Sequence, residues 1–145
     1  MKASQKAFNL LEKWEEFRAN PYQDSKGVWT YAYGHTRTVQ YNTPPITRYE
    51  AEQLLKQDVS IVEEWINIHF KKLRQCQFDA LVSLLFNIGG DNEFLKTTTA
   101  QYLKTDPDSR FVAYNWIEFT LSGGVYQRGL LRRRIDELEL YYSWK

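Results

Sequence analysis

The sequence predicts a mostly helical α+β chain with one small antiparallel sheet near its N-terminus. Three observations carry this. Apolar residues recur with helical spacing through most of the chain, and a capping box after a proline pair opens a long helical stretch. Between residues 21 and 42 that period gives way to short runs of Val, Trp, Thr and Tyr, broken by Pro21, Asp24-Ser25, Gly27 and Gly34.

Taken in order, Ala7, Leu10, Leu11 and Trp14 stand at i, i+3, i+4 and i+7 and predict a first helix over residues 3–16, ending in the acids Glu15 and Glu16. Carboxylates at a helix C-terminus oppose the helix dipole, so this pair calls for a reason. Val28 to Tyr33 reads as a strand, with neighbours expected around Pro21–Gln23 and Thr36–Gln40. Thr47-Arg48-Tyr49-Glu50 forms the capping box and opens a helix to about His69. Its apolar stripe is Ala51, Leu54, Leu55, Val62, Trp65 and Ile66, and it includes Asp58, an acid at a core position that needs a partner. Phe78 to Ile88 is apolar nearly all round, which places it centrally, and Gly89-Gly90 stops it. Shorter helices are expected at Phe94–Leu103 and Arg110–Phe119. Ser122-Gly123-Gly124 then breaks the chain before a last helix with Leu131, Ile135, Leu138 and Tyr142 on one face.

With 145 residues, 43% apolar and 16% aromatic, the chain can bury one sizeable core. A formal charge of +1 gives no bulk attraction for nucleic acid or an anionic membrane. Cys76 is the only cysteine, which excludes a disulfide framework, and it reads as a helix-packing thiol. The opening Met-Lys-Ala-Ser-Gln-Lys-Ala-Phe lacks the apolar run of a signal peptide or membrane anchor, so synthesis in the cytoplasm is expected.

The chemistry narrows by elimination. His35 and His69 are the only histidines and lack metal-ligand spacing, so neither a metal nor another cofactor is expected. There is no Gly-x-Ser-x-Gly elbow and no phosphate-binding glycine loop. What remains is Glu15 at a helix end, Asp24 eight intervening residues later in a polar turn, and Thr30 five further on in a strand. An acid beside an apolar helix face and an acid in a hydrated turn can divide labour as proton donor and water holder. By spacing alone the signal is weak, since acids are common, and ordinary helix-end and turn acids are the better description.

The stretch from Trp14 to Thr36, with Glu15, Asp24, Thr30 and Tyr33-Gly34-His35, resembles the active-site segment of the phage-type lysozymes of glycoside hydrolase family 24: an acid, eight residues, Asp, five residues, Thr, then Gly-x-Gly-His. The similarity continues through Ile46–Asp58, Gln77–Gly89, Phe94–Thr99 and Gly129–Glu137. It implies a lysozyme-like two-lobed fold, with a small N-terminal antiparallel β lobe at about 17–46, a linking helix at about 47–69, and a larger helical lobe at about 70–145 that includes the first helix 3–16. It also implies hydrolysis, with inversion, of the β-1,4 bond between N-acetylmuramic acid and N-acetylglucosamine in peptidoglycan. Glu15 would then be the general acid, with Asp24 and Thr30 holding the water. Asn87, Tyr33, Ala32 and Thr98 are expected beside the glycan, although Asn87 reads equally as a helix cap. The resemblance pairs His35 with Asp58 in a structural ion pair; a Lys or Arg partner for Asp58 is the alternative. Arg132–Asp136 and Arg133–Glu137 read as i,i+4 pairs on a solvated face.

Two residues depart from the pattern. Glu16 and Ala32 stand where the family carries glycine. Since a left-handed residue past a helix end favours glycine, Glu16 is expected to shift the end of the first helix. Ala32 adds a methyl beside the site. The rival reading is therefore a lysozyme-fold protein that binds glycan or a protein partner with weakened catalysis. The implied setting is a monomer that acts on the wall or periplasm after a holin-type partner releases it, with no nucleic-acid partner and no stable membrane insertion.

Overall fold

In a computed structural model, which describes residues 1–122 and 124–145, the chain forms α1 (Gln5–Glu15), β1 (Arg18–Gln23), β2 (Trp29–Ala32), α2 (Arg48–His69), α3 (Gln75–Ile88), α4 (Asn92–Leu95), α5 (Thr98–Thr105), α6 (Phe111–Trp116), β3 (Leu121–Ser122), β4 (Val125–Tyr126) and α7 (Arg128–Tyr141). It is a mostly helical α+β fold. Among the described residues, no helix is long and apolar enough to cross a membrane. The chain divides into two compact units, Leu11–Ile61 and a second made of Met1–Leu10 with Val62–Lys145.

The smaller unit is organised by the β1–β2 hairpin. Tyr22 pairs with Thr30 and Gln23 with Trp29, while Arg18 pairs with Ala32, so β1 carries extra residues between positions 18 and 22. Pro21 lies in that bulge, where its missing N–H costs the ladder nothing. The third strand expected at Thr36–Gln40 does not form. Its place is taken by turns and a single Tyr31–His35 bridge, because Gly34 turns the chain back at φ 72 after one pairing. The capping box opens α2 as read from the sequence. Thr47 Oγ1 donates to Glu50 Oε1 at 2.8 Å, and the Glu50 amide donates to Thr47 Oγ1 at 3.2 Å. Leu11, Tyr33, Val39, Ala51, Leu55 and Val59 form the apolar core of this unit.

In the larger unit α3 is buried from Gln77 to Leu85 and packs chiefly on α7. The single helix expected over Phe94–Leu103 is broken into α4 and α5. Thr97 ends the first and caps the second, its hydroxyl donating to the Phe94 carbonyl at 2.7 Å and accepting from the Ala100 amide at 3.2 Å. The break expected at Ser122–Gly124 is flanked by the short β3–β4 pair, for which the sequence reading has no counterpart; Gly123 lies outside the described residues.

The last helix corrects the sequence reading most. Ile135, assigned to the core face, is 43% exposed, while Arg133, Arg134, Glu137 and Tyr141 are buried. Of the two i,i+4 pairs expected on a solvated face, Arg133–Glu137 forms but lies in the interior, whereas Arg132 is exposed. The Glu137 carboxylate accepts from Ser83 Oγ at 2.7 Å and from Trp116 Nε1 at 3.0 Å. It also meets Arg133 Nε at 3.3 Å and Arg134 Nε at 2.8 Å. Arg134 further donates to the Phe119 carbonyl at 3.2 Å and to Asn87 Oδ1 at 2.8 Å. Burial pushes the Glu137 carboxyl above its ordinary range, against the downward pull of Arg134, Arg133, Trp116 and Ser83.

Candidate active site

Glu15 is the last residue of α1, half-buried, and the chain leaves the helix through Glu16 at φ 50. The shift of the helix end expected from the missing glycine therefore does not occur; Glu16 adopts the left-handed conformation itself. Beyond it, the Phe17 ring lies 5.7 Å from that of Tyr33, and the Arg48 guanidinium caps Phe17 at 4.8 Å. This packing fixes the turn, which explains why it persists with a side chain that dislikes it.

Ala32, the second departure from glycine, is also left-handed, at φ 56. Both substitutions thus preserve the glycine geometry and carry its cost. Left-handed backbone costs a non-glycine residue about 1–2 kcal/mol, and glycine returns about 0.5–1 of that through its greater freedom in the unfolded chain. Glu16 is exposed, so Glu16→Gly is expected to stabilise the protein by roughly 0.5–1 kcal/mol, read by denaturant unfolding. Ala32 is 1% exposed, and losing its methyl costs about 0.8 kcal/mol. Ala32→Gly should therefore be near neutral.

Asp24 follows β1 in a tight turn that its own side chain builds. Its Oδ1 accepts from the amides of Lys26 at 2.8 Å and Val28 at 2.9 Å, and its carbonyl accepts from the Gly27 amide. Among the described residues no protein donor reaches Oδ2. Thr30 is 4% exposed, and its hydroxyl donates to the Val28 carbonyl at 2.9 Å. With its hydrogen so committed, Thr30 Oγ1 can only accept from anything placed beside it. An acceptor-only hydroxyl and an available carboxylate oxygen on one hairpin suit a water that must donate both hydrogens and present a lone pair.

Tyr22, directly across from Thr30, reports the local field. Burial holds its phenol above the ordinary range; Arg18 opposes this, and the carboxylates of Glu15, Asp24 and Glu16 add to it. The three acids thus act on one phenol. The sequence offers no signal for Tyr22 beyond its place in the sheet.

Elsewhere in the same unit, His35 Nδ1 stands 2.7 Å from Asp58 Oδ2, and Arg37 Nη2 stands 2.6 Å from Oδ1. His35 Nε2 meets Thr38 Oγ1 at 2.7 Å. The two partners considered for Asp58 are both present, one on each oxygen.

The remaining expected glycan contacts are placed less favourably. Tyr33 is 5% exposed and Ala32 1%, so their side chains offer little surface. β2 ends at Ala32 with its positive φ, so Tyr33 lies beyond the strand. In the other unit Asn87 is exposed and accepts from Arg134, neither capping its helix nor lying buried, and Thr98 is exposed at the first turn of α5. No cluster of His, Cys, Asp and Glu that could hold a metal ion occurs among the described residues.

The model of the phage lysozyme family matches residues 12–137. The chain is 33% identical to an endolysin of Acyrthosiphon pisum secondary endosymbiont phage 1, over 99% of both chains. Among solved structures, a point mutant of P22 lysozyme superposes with a TM-score of 0.82 at 32% identity, covering 97% of this chain and 98% of the other. The muramidase domain of SpmX from Asticaccaulis excentricus is similar with a TM-score of 0.85 at 28% identity, covering 97% of each.

Proposed function

This chain belongs to the phage lysozyme family, and from that premise we propose that it is a muramidase that hydrolyses the β-1,4 bond between N-acetylmuramic acid and N-acetylglucosamine in bacterial peptidoglycan, with inversion. The observation that carries the reading is the hairpin site, where Asp24 Oδ2 and an acceptor-only Thr30 hydroxyl stand within the same unit as Glu15.

In this mechanism Glu15 gives its proton to the glycosidic oxygen as the bond to the anomeric carbon breaks. Asp24 and Thr30 hold a water on the opposite face of the ring, and Asp24 takes its proton as the new C–O bond forms. Inverting enzymes keep the two carboxyl groups about 6.5–9.5 Å apart to admit that water. The Ala32–Tyr33 segment would meet the glycan through its backbone. The His35–Asp58–Arg37 cluster serves the fold of its unit rather than the chemistry. The same reading has the protein working as a monomer, delivered to the wall by a separate holin-type partner.

Reducing-end release from purified peptidoglycan, with the first-formed anomer followed by proton NMR, tests both parts. Release of the α-anomer is expected. Initial β-anomer would overturn the inverting assignment alone. If nothing is released between about pH 4 and 8, the enzyme reading fails, and the two left-handed substitutions would favour a protein that binds glycan without cleaving it.

A further inference from the structure

Just beyond α7 stands a tryptophan that the reaction does not use. Trp144 is 38% exposed, and among the described residues its indole N–H has no acceptor. The guanidinium of Arg74, which precedes α3, lies 4.1 Å from the centroid of its ring. Both residues line a hollow of about 390 Å³, which Lys6 of α1 also borders. That volume falls within the roughly 300–1,000 Å³ usual for ligand sites. Every lining residue belongs to the larger unit, Met1–Leu10 with Val62–Lys145, so the hollow shares no residue with the hairpin that carries Asp24 and Thr30.

The charges around the hollow favour one sign of ligand. Its one lining carboxylate, Asp79, is 1% exposed and enclosed, accepting from the Ser4 amide at 2.9 Å, from Ser4 Oγ and from Gln75 Nε2 at 2.9 Å. Asp108 accepts from Arg74 Nε at 3.1 Å and from Nη2 at 3.0 Å, which fixes the guanidinium and leaves Nη1 free. Lys6 is exposed and has no carboxylate partner among the described residues, and Lys145 Nζ lies 5.6 Å from the indole centroid. A ligand entering from solvent therefore meets cations and an N–H donor beside an aromatic surface. Carboxylates on a partly apolar chain satisfy all three, and Trp and Arg are the side chains that most often anchor such contacts. The acidic stem peptides attached to the glycan of peptidoglycan have this chemistry. Resting on the muramidase reading for the identity of the polymer, we propose that the hollow of Trp144, Arg74 and Lys6 is an accessory site for the acidic peptide of peptidoglycan.

The binding test needs no turnover. An acidic stem tripeptide, its fully amidated counterpart and a peptide-free chitin tetramer are titrated against the whole protein. The Trp144 indole N–H is followed by proton–nitrogen NMR and identified by its loss in Trp144→Phe. The acidic peptide alone should shift that resonance, and added salt should weaken its binding. Lys6→Glu, at an exposed position, should raise Kd at least about fivefold, since it removes one attraction and adds a repulsion. In turnover the same variant should raise KM for intact sacculi and leave kcat and cleavage of peptide-free glycan unchanged. Equal shifts with the amidated peptide or the chitin tetramer, or wild-type affinity in Lys6→Glu, would overturn the proposal. A protein that binds the acidic peptide but cleaves nothing keeps this site and loses the muramidase reading. One that cleaves the wall and ignores the peptide keeps that reading and loses the site.

Discussion

Glu15→Gln is expected to lower kcat for reducing-end release by roughly 10²–10⁴-fold, the range over which a positioned general acid contributes. Its melting temperature should barely change. The amide keeps the shape of the carboxyl and can still hydrogen-bond, but it has no proton to give to a leaving oxygen. Glu16→Gln separates the two neighbouring acids. Glu16 is exposed beyond the helix end, and its amide variant should keep activity within a few-fold. If Glu16→Gln were the dead variant and Glu15→Gln the active one, the assignment by eight-residue spacing to Asp24 would be wrong, and the left-handed turn would have to be delivering Glu16 to the substrate instead.

The second large effect concerns folding. Glu137→Ala should destabilise the protein by about 3–5 kcal/mol, the usual cost of removing one member of a buried charge network. The carboxylate is fully buried, and with it go the acceptors for Ser83 and Trp116 and the counter-charge of Arg133 and Arg134, which are 4% and 0% exposed. Two guanidiniums would be left in the interior beside a small cavity. For a chain of this length the loss corresponds to a drop in melting temperature on the order of 10 °C or more, measurable by calorimetry. The internal control is Glu93, which pairs with Lys96 where both side chains are over 70% exposed. Glu93→Ala should cost no more than about 0.5 kcal/mol, since solvent already screens that pair. A similar small effect at both sites would mean the Glu137 network does not hold α3, α6 and α7 together.

The contrast between those two acids marks where sequence reading ends. Arg133 and Glu137 show i,i+4 spacing, and so do countless surface pairs; spacing specifies that two side chains can meet but says nothing about the dielectric in which they do. Ile135 is apolar and in phase with the core face, and it lies half-exposed because α7 is rotated to bring Arg133, Arg134 and Glu137 onto α3 and α6. The split of α4 from α5 depends on Thr97, a good cap, but a threonine in a run of three announces nothing until one of them is seen to cap.

By itself the sequence determined the local elements whose information is local: α2 from its capping box, α3 from its unbroken apolar surface, the end of α1 near Glu15, a hairpin around Asp24-Ser25, and an acid at position 58 that had to find a partner. The family was legible too, in the whole stretch from Trp14 to Thr36 and its continuation along the chain rather than in the spacing of three residues. Only the tertiary structure decided that Glu16 and Ala32 would accept left-handed backbone rather than redirect the chain, because the packing of Phe17 with Tyr33 and Arg48 and the pairing of Ala32 with Arg18 outweigh a strain of about 1 kcal/mol at each. It likewise decided which charges went inside, since burial of a charge is settled by the partners that distant segments bring to it, and no window of sequence contains them.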